Sequence, residues 1–306
     1  MPLSVPDEPP PAAAYRLPAL LQDIRLLDLL ELSGTTTEAA RHVGLSQPTV
    51  SRRYRALAAD FAFVPQRRRR VGCCYGTSTA MRLLRLGCRA HRLEAGVARF
   101  GADLFLQPLL AGCAELLPAP PRFRAADTWL ELVRQGVLDG ALVSGLELPA
   151  AAELDGHGVD RRELELLPLG ALPLSLATAA PAGNHAKPPP VLVPHRGVAR
   201  GLQRALQERG LRLITAGNTS HSPEQWRRQL EASALAMPLP ALEPPGWWQT
   251  LQRLPLPHPL SLPVLLVLPA GWRGQGVLAE LARLVAEQAG LVRNGAQGHA
   301  PGASES

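Results

Sequence analysis

Apolar residues three and four positions apart run through the first hundred residues of this chain. Leu20, Ile24, Leu27 and Leu30 predict a helix over 17–32 whose apolar face is core, closed by Gly34. Ala39, Ala40 and Val43 give a short second face, and Val50, Tyr54 and Leu57 a third. Met81, Leu84, Cys88 and His91 mark a fourth helix, opened by Thr77-Ser78-Thr79, with Arg82, Arg85, Arg89 and Arg92 beside its apolar stripe. Past Gly96 short apolar runs alternate with helical patterns. Strands are expected at 97–100, 122–125, 141–143, 172–178, 191–193, 211–215, 235–238 and 262–268. Helices are expected at 104–117, 129–135, 198–209, 226–232 and 276–288. Strand and helix in alternation imply a parallel α/β sheet, with the run at 172–178 crossing into a second subdomain.

Local punctuation sharpens the first part. Thr35-Thr36-Thr37-Glu38 is a capping box, a Thr hydroxyl at a helix start with a Glu three residues on. Gly44 closes that helix where positive φ is needed, Leu45 is an apolar staple and Ser46 is the next N-cap. Pro48 then sits in a first turn, where its missing N–H costs nothing. Two helices joined by so short a turn read as a helix-turn-helix. With Val50, Tyr54 and Leu57 turned inward, Gln47, Thr49, Ser51, Arg52 and Arg55 fall largely on the outer face. Those side chains hydrogen-bond base edges and phosphates. A helical hairpin in some other fold shows the same glycine turn.

Charge favours the first reading. The chain carries a net +6, and residues 1–100 hold 15 arginines against eight acids. Between Arg41 and Arg92 twelve arginines face one acid, Asp60, whereas residues 101–306 carry a net −1. A positive segment on a near-neutral body is the footprint of a module that binds a polyanion. Arg67, Arg68, Arg69 and Arg70, beside Pro65, read as a wing; a solvated charge run is the plain alternative. A length of 306 residues suggests two or three domains. No run of about 18 apolar residues predicts a membrane span. The Pro- and Ala-rich start has no secretion-signal pattern, so a disordered arm and a cytoplasmic location are expected. The four cysteines have neither disulfide nor zinc spacing; vicinal Cys73-Cys74 reads as an oxidant sensor or as small buried thiols.

Thr37, Ala39, Ala40, Ser46, Gln47, Pro48, Ser51 and Arg52 fall in register with, and this stretch resembles, the N-terminal head of LysR-type transcriptional regulators. The run DTWLELVRQGVLDGALVSG is similar to the effector domain of the same family. The resemblance implies an α+β multi-domain chain. A winged helix-turn-helix would occupy 16–76, after a disordered 1–15. A linker helix over 77–94 would pair with its twofold mate. A two-lobed, periplasmic-binding-protein-like α/β effector domain would span 95–290, crossing near 172–178 and 255–268, before a disordered tail at 291–306. This chain departs from the family pattern at Thr36, at Ala58, at Pro65-Gln66, in a linker about a dozen residues short, and at Ser233-Ala234-Leu235-Ala236, where a Gly-x-Gly segment is usual.

The resemblance also implies roles. Gln47, Thr49 and Arg52 would read base edges of double-stranded DNA, while Ser46, Ser51, Arg53, Arg55 and Arg67 to Arg70 would hold phosphates. Thr37 and Pro48 belong to the same face. A homodimer or homotetramer would place recognition helices about one turn, ~10 base pairs, apart. In the cleft between lobes, helix N-termini suit a small anionic effector. Its candidate contacts are Ala102, Asp103, Thr128, His195, Arg196 and Ser233, although Asp103 would repel an anion.

Enzyme chemistry is not expected. The chain has no phosphate loop ending in Lys-Ser/Thr, no HExxH and no GxSxG, and its eight histidines lack metal spacing. No cofactor or metal is implied. Trp247-Trp248 reads as a sticky patch or a packing pair. Two rival functions remain beside an effector-modulated regulator. One is a ligand-independent DNA-binding co-regulator with a filled cleft. The other is a small-molecule-binding protein or enzyme with a vestigial head.

Overall fold

A computed structural model of the chain describes residues 15–63, 74–76, 78–103, 105–117, 119–120, 122–148, 161–179, 189–195, 197–217, 223–242, 250–271 and 276–297. The expected wing with Arg67 to Arg70, the arm at 1–14, Cys73, Arg196 and Trp247-Trp248 lie outside them.

Four helices form the N-terminal part: α1 (Gln22–Ser33), α2 (Thr36–Val43), α3 (Gln47–Asp60) and α4 (Thr79–Glu94). Helix α1 starts later than the apolar spacing suggests, because Pro18 leads first into a 3-10 turn, Ala19–Leu21. Gly34 at φ 73° and Gly44 at φ 67° cap α1 and α2 in the left-handed region, where a Cβ would clash with the following carbonyl. Thr35 Oγ1 accepts the Glu38 N–H at 3.1 Å, and the Ser46 side chain accepts from Thr49 to start α3. The apolar stripes meet as their periodicity requires. Ile24, Leu27, Leu30, Ala39, Ala40, Val50, Leu57, Met81 and Cys88 bury one another in a single cluster.

The rest of the chain builds a mixed sheet in the order β1-β2-β8-β3-β6-β4-β5, with β7 also on β3. The strands are β1 (Phe100–Ala102), β2 (Gly140–Ser144), β3 (Leu164–Thr178), β4 (Val191–Val193), β5 (Leu213–Thr215), β6 (Ala236–Pro240), β7 (Gln252–Leu254) and β8 (Ser261–Pro269). Helices α5 (Ala126–Arg134), α6 (Arg200–Gln207), α7 (Pro223–Glu231) and α8 (Gly276–Gln297) connect or flank them. The sheet is not all parallel. Pairs β1–β2, β4–β5 and β4–β6 are parallel, but β8 runs antiparallel to β2 and β3, and β3 runs antiparallel to β6 and β7. The reason is the two long strands. The first part of β3 pairs with β8 and its last part with β6 and β7, so β3 carries the chain from one half of the sheet to the other while β8 returns.

Other expectations change in detail. Among the described residues 105–117 no α-helix forms; Pro108 and Gly112 leave one 3-10 turn, Gln107–Leu110. Residues 122–125 form no strand, and β1 begins at Phe100 rather than 97. Helix α8 runs to Gln297, past the expected tail boundary at 290.

Helix α4 is more internal than a free linker would be. Arg85, Arg89 and Arg92 are buried. Arg85 Nε donates to Asp28 Oδ1 of α1 at 2.9 Å, and its other nitrogens donate to the Tyr75 and Gly76 carbonyls. Arg92 donates to both oxygens of Asp139 at 2.7 and 2.9 Å, Arg89 Nε lies 3.3 Å from Asp139, and the Arg99 N–H donates to Asp139 at 2.7 Å. Arg99 also reaches Asp28, 3.5 Å away. Burial by itself pushes the Asp139 carboxyl up, but the Arg92 charge and hydrogen bonds outweigh it and hold the group below its ordinary range.

Removing one partner of such a cluster strands buried charge. We expect Asp139→Ala to lower the unfolding free energy by about 3–5 kcal/mol, read as a lower urea midpoint for the full chain. An unchanged midpoint would show that the arginines find other partners. The same lowered carboxyl makes Asp139 stabilising above the ordinary carboxylate range, and that contribution is lost as pH falls through its depressed value.

Candidate functional site

Helix α3 is divided along its length as the sequence divides it. Val50 and Leu57 are buried and Tyr54 is half-buried between Phe63 and Tyr75. On the outer side Ser46, Gln47, Pro48, Arg52, Arg53 and Arg55 are exposed, and Thr49 and Ser51 are partly so; Thr37 is exposed on α2. The polar groups are tied to one another at the start of the helix. The Gln47 amide donates to Thr36 Oγ1 at 2.9 Å and to Ser51 Oγ at 3.0 Å, and the Ser46 and Thr49 hydroxyls lie 2.8 Å apart. Thr36, where the resembled family has an aromatic residue, is thus a clamp on Gln47. Arg53 turns toward α1 and pairs with Asp23 at 2.9 Å, both side chains being about two-fifths exposed. Arg52 and Arg55 point their charge to solvent. Sequence reasoning left out Arg41, exposed in the last turn of α2. The arginine excess is therefore split: part of it lies on this face, and the arginines of α4 are largely internal.

The second candidate site lies where the two halves of the sheet meet. A cavity of about 20 Å³ is lined by Asp103, Phe105, Phe123, Arg124, Ser144 and Glu147 from the first half, by Pro194, Val198, Ala199 and Leu202 from the second, and by Leu262 of β8. That volume holds about one water molecule. Two carboxylates dominate it. Asp103 Oδ1 accepts the N–H groups of Phe105 at 2.9 Å and Leu106 at 3.1 Å. Burial pushes Asp103 up to about 7, against those hydrogen bonds, and the Glu147 charge pushes the same way as burial. Glu147 lies in a short 3-10 turn, Gly145–Glu147, entered by Ser144, whose hydroxyl accepts the Leu146 N–H. Its carboxylate crosses to the start of α6 and accepts the N–H of Gly201 at 3.0 Å and of Leu202 at 2.8 Å. Burial raises Glu147 too, opposed by those N–H groups. Aromatic rings form one wall, with Phe105 and Phe123 4.9 Å apart and Phe123 and Trp226 5.0 Å apart.

Of the six side chains expected around an effector, Asp103 lines this cavity. Ala102 is buried in β1. Thr128 is on α5 and His195 is exposed, its Nδ1 accepting the Gly197 N–H. Ser233 is exposed after α7 and donates to the Gln229 carbonyl. Glu147 and Ser144 were missed. The available signal was position: Ser144 ends a buried strand and Glu147 follows it, at the sheet end where α/β folds collect ligand-facing residues. Among the described residues no metal-holding cluster of His, Cys, Asp and Glu occurs, and no helix is long and apolar enough to cross a membrane.

No family model and no curated protein matches this sequence. Solved structures do resemble it along most of its length. Crystalline ArgP from Mycobacterium tuberculosis is 17% identical over 90% of this chain and 98% of that one, with a TM-score of 0.45. CbnR, a LysR family transcriptional regulator, is 15% identical over 88% and 99%, with a TM-score of 0.45. Full-length LysG from Corynebacterium glutamicum, with its effector Arg bound, is 18% identical over 87% and 97%, with a TM-score of 0.41. Of these three, CbnR and LysG are LysR-type transcriptional regulators.

Asp103 gives a pH test. Its folded-state pKa of about 7 stands above an ordinary 3.8, so ionising it disfavours the fold, and stability is gained as pH falls from about 7 toward 4. Asp103→Asn keeps Oδ1 as an acceptor and removes the charge. The Tm advantage of that variant over the unsubstituted chain should be near zero at pH 4, widen up to about pH 7 and then stay level. A difference that does not change with pH would contradict the raised carboxyl.

Proposed function

We propose that this chain is a cytoplasmic, sequence-specific DNA-binding transcriptional regulator of the LysR type, acting on double-stranded DNA as a homodimer or homotetramer. One observation carries the reading: α3 buries Val50 and Leu57 while Gln47, Arg52 and Arg55 stand exposed together on its outer side. In this reading 16–76 is the head, 77–94 the linker and 95–290 the effector-type domain. Gln47, Thr49 and Arg52 face the bases, and Ser46, Ser51, Arg53, Arg55 and Arg67 to Arg70 hold phosphates. Arg53 must leave Asp23 or share it to do so. The outward side of α4, where Leu83 is 63% exposed beside exposed Ala80 and Gly87, is the surface offered to a second copy. The reading assigns no catalysis.

Two versions of the second domain follow. In one, a small anion opens or closes the lobes and shifts a population of DNA-binding geometries. In the other, the cleft is filled and the regulator is ligand-independent. The Glu147 carboxylate on the start of α6 favours the second.

The test is selection of duplexes by the full chain from a random library, followed by titration of the selected duplex and a scrambled one at several salt concentrations. Tight, sequence-selective binding with a steep salt slope is the expected result. Weak binding, equal for both duplexes, would overturn the reading. On the selected duplex, Arg52→Ala should cost about 1–3 kcal/mol and relax sequence choice, whereas Arg55→Ala should weaken all sequences alike and lower the salt slope by about one. An equal loss on every sequence for Arg52→Ala would remove it from base reading.

A further inference from the structure

We infer that Glu147 is a built-in ligand of the inter-lobe cleft: its carboxylate occupies the helix-start position that an anionic effector would take, and it ties the two halves of the sheet together. The inference deepens the ligand-independent version of the regulator, but the contact and its test involve no DNA.

The geometry is specific. Glu147 leaves the first half of the sheet in the turn that follows β2, and both of its oxygens are used on the second half, Oε2 by the Gly201 N–H and Oε1 by the Leu202 N–H. These are N–H groups of the first turn of α6, which have no partner inside the helix. They are therefore satisfied by the chain itself. The sequence has been shaped to allow the approach. A Cβ built on Gly201 would fall on the Leu146 carbonyl oxygen, so a side chain there would push the Gly145–Glu147 turn away. Ser144 fixes that turn from its other end, through the Leu146 N–H. The space left beside the carboxylate, about 20 Å³, takes about one water. Asp103 and Arg124 line the same cavity, one acidic and one basic group beside the Glu147 carboxylate.

The consequence is that the closed arrangement of the two halves needs no small molecule. A carboxylate from solution would bind after Glu147 is shortened, and not before. Full-length Glu147→Ala would be compared with the unsubstituted chain by thermal unfolding, with sodium acetate titrated against sodium chloride at equal ionic strength. We expect the variant to lose about 5 °C in Tm, acetate to restore most of that loss, chloride to restore none, and the unsubstituted chain to respond to neither. An unchanged Tm in the variant would overturn the inference, as would an acetate effect of equal size in both proteins. Glu147→Gln keeps an acceptor and the volume, and covers the case in which the alanine variant does not fold. It should unfold below the unsubstituted chain, because its NH2 group faces one of the two N–H donors that the carboxylate satisfies, and it should ignore acetate; a Tm equal to that of the unsubstituted chain would show that the paired oxygens do not hold the contact.

Discussion

Two buried aspartates hold this molecule together in three dimensions. Asp28 on α1 takes Arg85 and Arg99, and Asp139 before β2 takes Arg89, Arg92 and the Arg99 main chain. Each charge is costly to bury alone and is tolerated because its partners are buried with it. The cluster fixes how α4 sits between the N-terminal helices and the sheet, since two turns of α4 supply arginines to α1 on one side and to the sheet on the other. A hydrophobic substitute would supply contact without direction. The arginines fix rotation and register, because each guanidinium must meet particular oxygens.

A second connection runs from the cavity to the N-terminal helices. Arg124 lines the cavity, stacks over Trp129 with 5.4 Å from its guanidinium carbon to the ring centroid, and donates to the Glu31 carbonyl at 2.8 Å. Arg122, two residues earlier in the same segment, donates to the Ser33 carbonyl. Both arginines therefore cap the C-terminal end of α1, where free carbonyls and a partial negative charge favour cations. Gly34 and the Thr35 cap of α2 follow at once. The wall of the cavity and the junction of α1 with α2 thus share one short segment of chain, and a change at one has a path of direct contacts to the other.

The cavity also explains why helix starts are poor guides to ligand sites when taken singly. The start of α6 has the N–H groups that suit an anion, and the anion is Glu147. Asp103 likewise spends its oxygen on Phe105 and Leu106. Groups that look available in a linear reading are satisfied once the chain closes, because a buried N–H without a partner is costly.

Much of the N-terminal helical part was legible in the sequence because its signals are local. Thr35, Gly44, Ser46 and Pro48 act on their own neighbours, and Val50 and Leu57 are inward by helical spacing alone. Strands β2, β4, β6 and β8 were legible as short apolar runs for the same reason. What tertiary structure decided was every pairing over long range. It gave the mixed sheet, because β3 and β8 cross in opposite directions; it reduced the expected 104–117 helix to one turn; and it drew the Asp139 carboxylate to three arginines forty or more residues away. The arginines of α4 and those on the outer side of α3 carry the same charge in the sequence. Burial separates them, and burial is a property of the folded chain.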